Sequence, residues 1–340
     1  MEFGRYKHVL EAGCVFAGEE DIPAELYRES KKMRSKTAIR NKIFREIINS
    51  IEREKPADLD IIWLKGARVL KTGSMPRGLR RLSDLDLLIR RQQLPEWYEL
   101  FEQLGFNHHR SLEWLMEDGF SCSVSSTFFT GTWEGQKILL DVHWHLVDFP
   151  ARRAAGHWDF DIERVWRNRC GDFLSTEDCI LYVLDHALSH NYYQWKFILD
   201  LHYLLNSETI DYDRVKTRAQ KLNFSDSFQT GRQFLDYALG TRGSMLIPGS
   251  NPGTSPRYRS YFKRAIQGNT RKGEYLIWCL DHLNSAIKKI TFLYWIVMPP
   301  VEAIPGVQNK PGIQSKVLIY GDRLKRVIKE GWKMFTRRWD

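Results

Sequence analysis

At 340 residues, with 43% hydrophobic and 13% aromatic residues including 12 Trp, the chain carries enough apolar mass for a substantial core, and disorder over most of its length is excluded. The formal net charge of +9 favours an anionic partner. No segment approaches the roughly 20 apolar residues of a bilayer span, since the best candidate, Ile290 to Met298, is about half that length and ends at Pro299-Pro300.

In chain order, residues 1–57 read as a helical segment that packs on the core. Its clearest helix is Thr37 to Glu54, with Phe44, Ile47, Ile48 and Ile51 on one side, and Lys55-Pro56 ends it. Residues 58–150 alternate strand-like and helix-like runs and form the expected catalytic core. Strands are predicted at Asp60–Lys65, Asp84–Ile89 and Lys137–Trp144, with a hairpin partner at Phe120–Phe129 and the connecting turn at Thr130–Gly135. A helix near Leu94–Leu104 ends at Gly105. Residues 151–340 read as helical, with Ser175 as the N-cap of one helix and Asp200–Leu205 inside the next. Pro248–Pro256 marks a break. Between Lys316 and Arg338 eight basic residues interleave with Leu324, Val327, Ile328, Trp332 and Phe335 near helical spacing. That segment is either a surface helix docked by its apolar side or a basic contact for a membrane surface or nucleic acid. Cys14, Cys122, Cys170, Cys179 and Cys279 show no C-x-x-C spacing and read as free thiols, mostly for core packing. Glu2, Arg5, Lys7, Glu11 and Glu19 interrupt any signal-peptide pattern, so a cytoplasmic location is the expectation.

The chemistry concentrates on three carboxylates. Asp84 and Asp86, two apart at the head of Leu87-Leu88-Ile89, share a face if they lie on one strand. Asp141 lies inside a second strand-like run, and a neighbouring strand that brought it beside the pair would complete a cage for divalent metal. The pattern Asp-x-Asp alone says little, because chance gives about one in a chain of ordinary composition, and Asp58/Asp60, Asp159/Asp161 and Asp211/Asp213 repeat it. Only the pair at 84 and 86 follows a Gly-containing loop and a pair of arginines and leads into an apolar strand. His143 and His145 share Asp141's face if the strand is regular, without a third ligand placed by spacing for zinc. His186 and His190, four apart on a helix, either pack between helices or reach a ligand. Phosphate-loop, dinucleotide-turn and nucleophile-elbow motifs are absent from the sequence.

The order Leu64-Lys65-Gly66, Gly78-Leu79-Arg80, Ser83-Asp84-Leu85-Asp86-Leu87-Leu88-Ile89 and Asp141-Val142-His143-Trp144 resembles the nucleotidyltransferase superfamily that includes DNA polymerase β. Within it the chain is most similar to poorly characterised bacterial nucleotidyltransferases with a Lys-Gly turn and a late Asp-x-His-Trp motif. The likeness continues through Leu174–Asp178, His186, His190 and Trp195–Asp200, and covers about residues 37 to 240. The resemblance implies an α+β fold, a polymerase β-like mixed sheet with flanking helices, followed by an α-helical C-terminal domain.

It also implies transfer of a nucleoside monophosphate from a nucleoside triphosphate to an acceptor hydroxyl, with release of pyrophosphate. Two Mg²⁺ ions, or Mn²⁺, would be held by Asp84, Asp86 and Asp141, with Asp141 the candidate base. Lys65 and Gly66 would serve the phosphates, or form only a strand-to-helix turn. Arg80 would neutralise a phosphate, and Ser83 would bind one or cap its own turn. His143 and His190 are candidate substrate contacts. The acceptor is open among a small molecule, a peptide and RNA. The competing expectation is an inactive nucleotide-binding protein, or a basic module that binds RNA or a membrane surface.

Overall fold

The computed structural model describes residues 24–108, 111–116, 125–147, 159–190, 195–207, 210–239 and 285–297, with positions 320 and 325. The expected break at Pro248–Pro256, the first half of the predicted hairpin partner, most of the basic C-terminal segment, and Cys14, Cys122 and Cys279 lie outside the described residues. Cys170 is exposed and Cys179 buried, and neither forms a disulfide.

The long helix α1 (Ala24–Glu54) begins well before the predicted start. Ile43, Phe44, Ile47, Ile48 and Ile51 recur at helical spacing and are all buried. Then come β1 (Ile61–Trp63), α2 (Lys65–Thr72), β2 (Leu85–Ile89), α3 (Leu94–Gln103), β3 (Phe106–Asn107) and α4 (Leu112–Met116). The hairpin β4 (Ser126–Trp133) and β5 (Gln136–His143) completes a five-stranded sheet in the order β1-β2-β5-β4-β3. Among the described residues only β2 and β5 pair in parallel. Helices α5 (Ile162–Arg167), α6 (Thr176–Ser189), α7 (Trp195–Ser207), α8 (Tyr212–Lys221), α9 (Ser225–Leu239) and α10 (Ala286–Val297) follow. The fold is α+β, as expected.

The hairpin corrects the predicted turn. Thr130–Trp133 belongs to β4, paired residue by residue with Gln136–Leu139. The connection is the two-residue loop Glu134-Gly135, with φ of +47° and +72°. Two successive left-handed residues match the twist of tight hairpins, and Gly at the second position relieves the steric cost.

Side chains alternate across the sheet as the two-residue strand period dictates. Ile61, Trp63, Leu85, Leu87, Ile89, Ile138, Leu140 and Val142 face a core shared with α1 and α3, where Ile47, Ile51, Trp97 and Phe101 are fully buried. Ile62, Leu64 and Leu88 face the opposite way, into a core built by Leu181, Leu184 and Leu188 of α6 and Phe197 and Leu201 of α7. Each large apolar side chain removed from water stabilises by about 1.5–3 kcal/mol. Helix α6 is central to this second layer and packs against α7, α8 and α9. Ser175 caps α6 as predicted, accepting from the Asp178 N–H at 3.2 Å, while the buried Asp178 carboxylate accepts from Arg218 Nε of α8 at 2.7 Å.

The outer side of β1 is also occupied. The Trp63 N–H donates to Asp172 O at 2.8 Å, from a turn closed by the Cys170–Phe173 bridge. Lys71 of α2 donates to Asp172 Oδ2 at 2.8 Å and also to Glu52 of α1. Among the described residues no helix is long and apolar enough to cross a membrane.

Candidate active site

The sheet brings Asp86 and Asp141 together. Strands β2 and β5 run parallel with Asp86 opposite Asp141 and Leu88 opposite His143. Since 85, 87, 140 and 142 point to the α1 side, Asp86, Asp141 and His143 point to the α6–α7 side. One ligand atom from each of the three lies within 4.8 Å of the others. His143 Nε2 lies 3.1 Å from Asp141 Oδ2 and 3.6 Å from Asp86 Oδ1. All three are buried, His143 completely.

Asp84 stands outside this trio. Strand β2 begins at Leu85, the residue that pairs with Leu140, so Asp84 sits in the bend before it. It is half-buried, and Ser83 Oγ donates to its Oδ1 at 2.7 Å. His145 lies beyond the end of the strand that carries Asp141 and is outside the donor trio. Strand β5 stops at His143, and His145 Nδ1 lies 3.4 Å from Asp159 Oδ1.

Lys65 opens α2 with φ +43°, and its buried Nζ donates to Asp86 Oδ1 at 2.6 Å. The same ammonium lies 5.5 Å from the centre of the Tyr182 ring. Gly66 permits a close approach behind it, because a Cβ there would come within 3.0 Å of Leu82 Cγ and 3.3 Å of Arg80 Nη2. Arg80 is buried and forked onto Asp200 of α7, with Nε donating to Oδ1 at 2.9 Å and Nη2 to Oδ2 at 3.2 Å. Helix α1 holds the connecting loop from its other side. Asn41 Nδ2 donates to Arg80 O at 2.7 Å, and Arg40 Nε to Leu82 O at 3.0 Å. His190 ends α6, its ring 4.6 Å from that of His186 and 5.6 Å from that of Phe197.

Charge neighbours set the ionisation of the site. Burial disfavours the Asp86 carboxylate, but Lys65 and then His143 outweigh it and hold the carboxyl well below the usual range. Burial dominates at Asp141 and raises its carboxyl, with His143 opposing and the Asp86 charge adding to the rise. Burial, followed by Lys65 and His190, holds the His186 imidazole well below its ordinary value. Burial and then Arg80 lower the Lys196 ammonium, which also feels Asp84 and Asp86.

The donor set suits a divalent cation. Two carboxylates and an imidazole converge, and Asp141 Oδ1 is buried with no hydrogen-bond partner among the described residues. A buried anionic oxygen left without a donor is costly unless something positive completes it. Asp200, Lys196, Tyr182, Arg40 and Asn41 were not singled out as site residues from sequence. The signals for Lys196 and Asp200 were the resemblance that runs through Trp195–Asp200 and their spacing of four, which sets them on one helix face.

The five-stranded mixed sheet with its helices is consistent with an α+β nucleotidyltransferase fold. The family model described as an uncharacterised nucleotidyltransferase matches residues 7–240, and the chain belongs to that family. No curated protein and no solved structure matches it.

Proposed function

We propose that the protein transfers a nucleoside monophosphate from a nucleoside triphosphate to an acceptor hydroxyl in a reaction that depends on divalent metal. The observation that carries this reading is the parallel register of Asp86 with Asp141, which sets two buried carboxylates and His143 side by side under α6 and α7. Family membership supports the same class of reaction.

Asp86 and Asp141 would hold the cation, with Asp84 supporting a second from the bend at the edge of the trio. Mg²⁺ is the expected ion and Mn²⁺ its substitute. When bound, such ions polarise the α-phosphoryl group and lower the pKa of the acceptor hydroxyl. The acceptor oxygen forms its bond to the α-phosphorus as the bond to the bridging β-phosphate oxygen breaks, and pyrophosphate leaves with that electron pair. The acceptor proton passes to the Asp141 carboxylate.

Lys65, Gly66 and Ser83 serve the triphosphate at the start of α2 and the bend before β2. Arg80 lies close enough for its charge to act there while Asp200 fixes its plane. His143 orients Asp141, and His190 is a candidate contact for the acceptor. On this reading residues 1–57 pack on the core, 58–150 carry the chemistry, and 151–340 shape the acceptor side.

The test is incubation with α-labelled ATP, GTP, CTP and UTP, Mg²⁺ and a cell extract. A labelled product, formed by the wild type and lost in Asp86→Asn and Asp141→Asn, supports the proposal. Nucleotide binding without pyrophosphate release, across donors and acceptors, sinks it in favour of a binding protein.

A further inference from the structure

Lys65 makes two demands on one oxygen. Its backbone occupies the left-handed region, which residues with a side chain rarely adopt and which clusters at functional sites. From that turn its ammonium reaches Asp86 Oδ1 at 2.6 Å, both side chains less than one-tenth exposed. The same Oδ1 faces His143 Nε2 at 3.6 Å, and His143 Nε2 lies 3.1 Å from Asp141 Oδ2. One oxygen therefore belongs both to an ion pair and to the donor trio.

We propose that Lys65 is a positioning residue, a tethered counter-ion that competes with the divalent cation for Asp86 Oδ1, so that metal and nucleotide bind cooperatively. The inference rests on the metal-dependent reading of this site. A Mg²⁺ ion binds carboxylate oxygen at about 2.0–2.1 Å, and an ammonium on the same buried oxygen would repel it at short range. A triphosphate at the start of α2 offers the ammonium another anionic partner and draws it off Asp86. Metal binding and nucleotide binding then raise each other's affinity by the same factor.

Mn²⁺ titration of the full-length protein by electron paramagnetic resonance tests this, with wild type, Lys65→Met and Lys65→Arg. Without nucleotide, Lys65→Met is expected to bind Mn²⁺ about tenfold more tightly, while Lys65→Arg stays near wild type. A non-hydrolysable triphosphate analogue should then raise Mn²⁺ affinity less in Lys65→Met than in wild type. Equal Mn²⁺ affinities of wild type and Lys65→Met without nucleotide overturn the proposal and leave the nucleotidyltransferase reading standing. Absence of Mn²⁺ binding in every protein, with or without the analogue, removes both. If Lys65→Met does not fold, acetylation of Lys65 in the wild type, read by mass spectrometry, serves instead. It should rise on adding Mn²⁺ alone, and unchanged modification overturns the proposal.

Discussion

At the residue scale the most constrained member of the trio is His143, fully buried between two carboxylates. On the proposed reading, an imidazole in that place would orient Asp141 even without meeting the cation. His143→Asn should weaken Mn²⁺ binding and transfer by about 10–100-fold, the usual cost of losing a group that orients a ligand; an unchanged affinity would assign His143 to packing alone. His186 supports a different prediction. Its folded-state pKa lies well below that of an unfolded histidine, so on acidification the unfolded chain takes up the proton first. Its contribution to stability is therefore complete above the unfolded value near 6.5 and is lost as pH falls below it towards the folded value. Urea unfolding at pH 7.5 and pH 5 should show a smaller acid loss in His186→Phe than in the wild type, since a phenyl ring keeps the edge contact with Phe197, whose centre lies 5.0 Å away.

At the scale of elements, the clamp between Arg80 and Asp200 joins the loop before β2 to α7. Both side chains are buried, so removing one strips the other of its hydrogen-bonded counter-charge. Asp200→Asn should cost about 3–5 kcal/mol in urea unfolding, and Arg80→Met added to it should recover part of that loss. No recovery would mean that Asp200 stabilises α7 independently of the loop. This contact also marks where sequence reading stopped. The strands around Asp86 and Asp141 were legible because apolar residues recur at 85, 87 and 89 and at 138, 140 and 142, but their meeting depended on a strand pairing that the sequence left conditional. The separate position of Asp84 was not legible, since pairing of Leu85 with Leu140 decides where β2 begins. The partnership of Arg80 with Asp200, 120 residues apart in the chain, depends on how α7 lies over the sheet, and no local pattern encodes it. The hairpin turn was misplaced for a related reason. Gly131 reads as a turn residue by composition, but cross-strand pairing to Ile138 keeps it within β4. Gly135→Val should cost about 1–2 kcal/mol by forcing a branched side chain into the left-handed region, measurable as a lowered melting temperature.

At the scale of the whole molecule, the sheet is covered on both faces, and the second cover comes from helices that follow it in the chain. A fragment ending at Val147 would expose Ile62, Leu64 and Leu88 together with the acidic trio, and should be recovered as aggregate or lack a cooperative unfolding transition. A soluble, cooperatively folding fragment would show that the sheet layer is self-sufficient. The Trp63–Asp172 contact has a further consequence for behaviour in concentrated solution. Unsatisfied amides along a terminal strand are templates on which another chain can add itself. Here Asp172 takes up the Trp63 amide on that flank of β1, while the opposite margin is only the two residues of β3. A strand arriving on that flank would find the Trp63 amide already bonded, which disfavours strand-linked growth there.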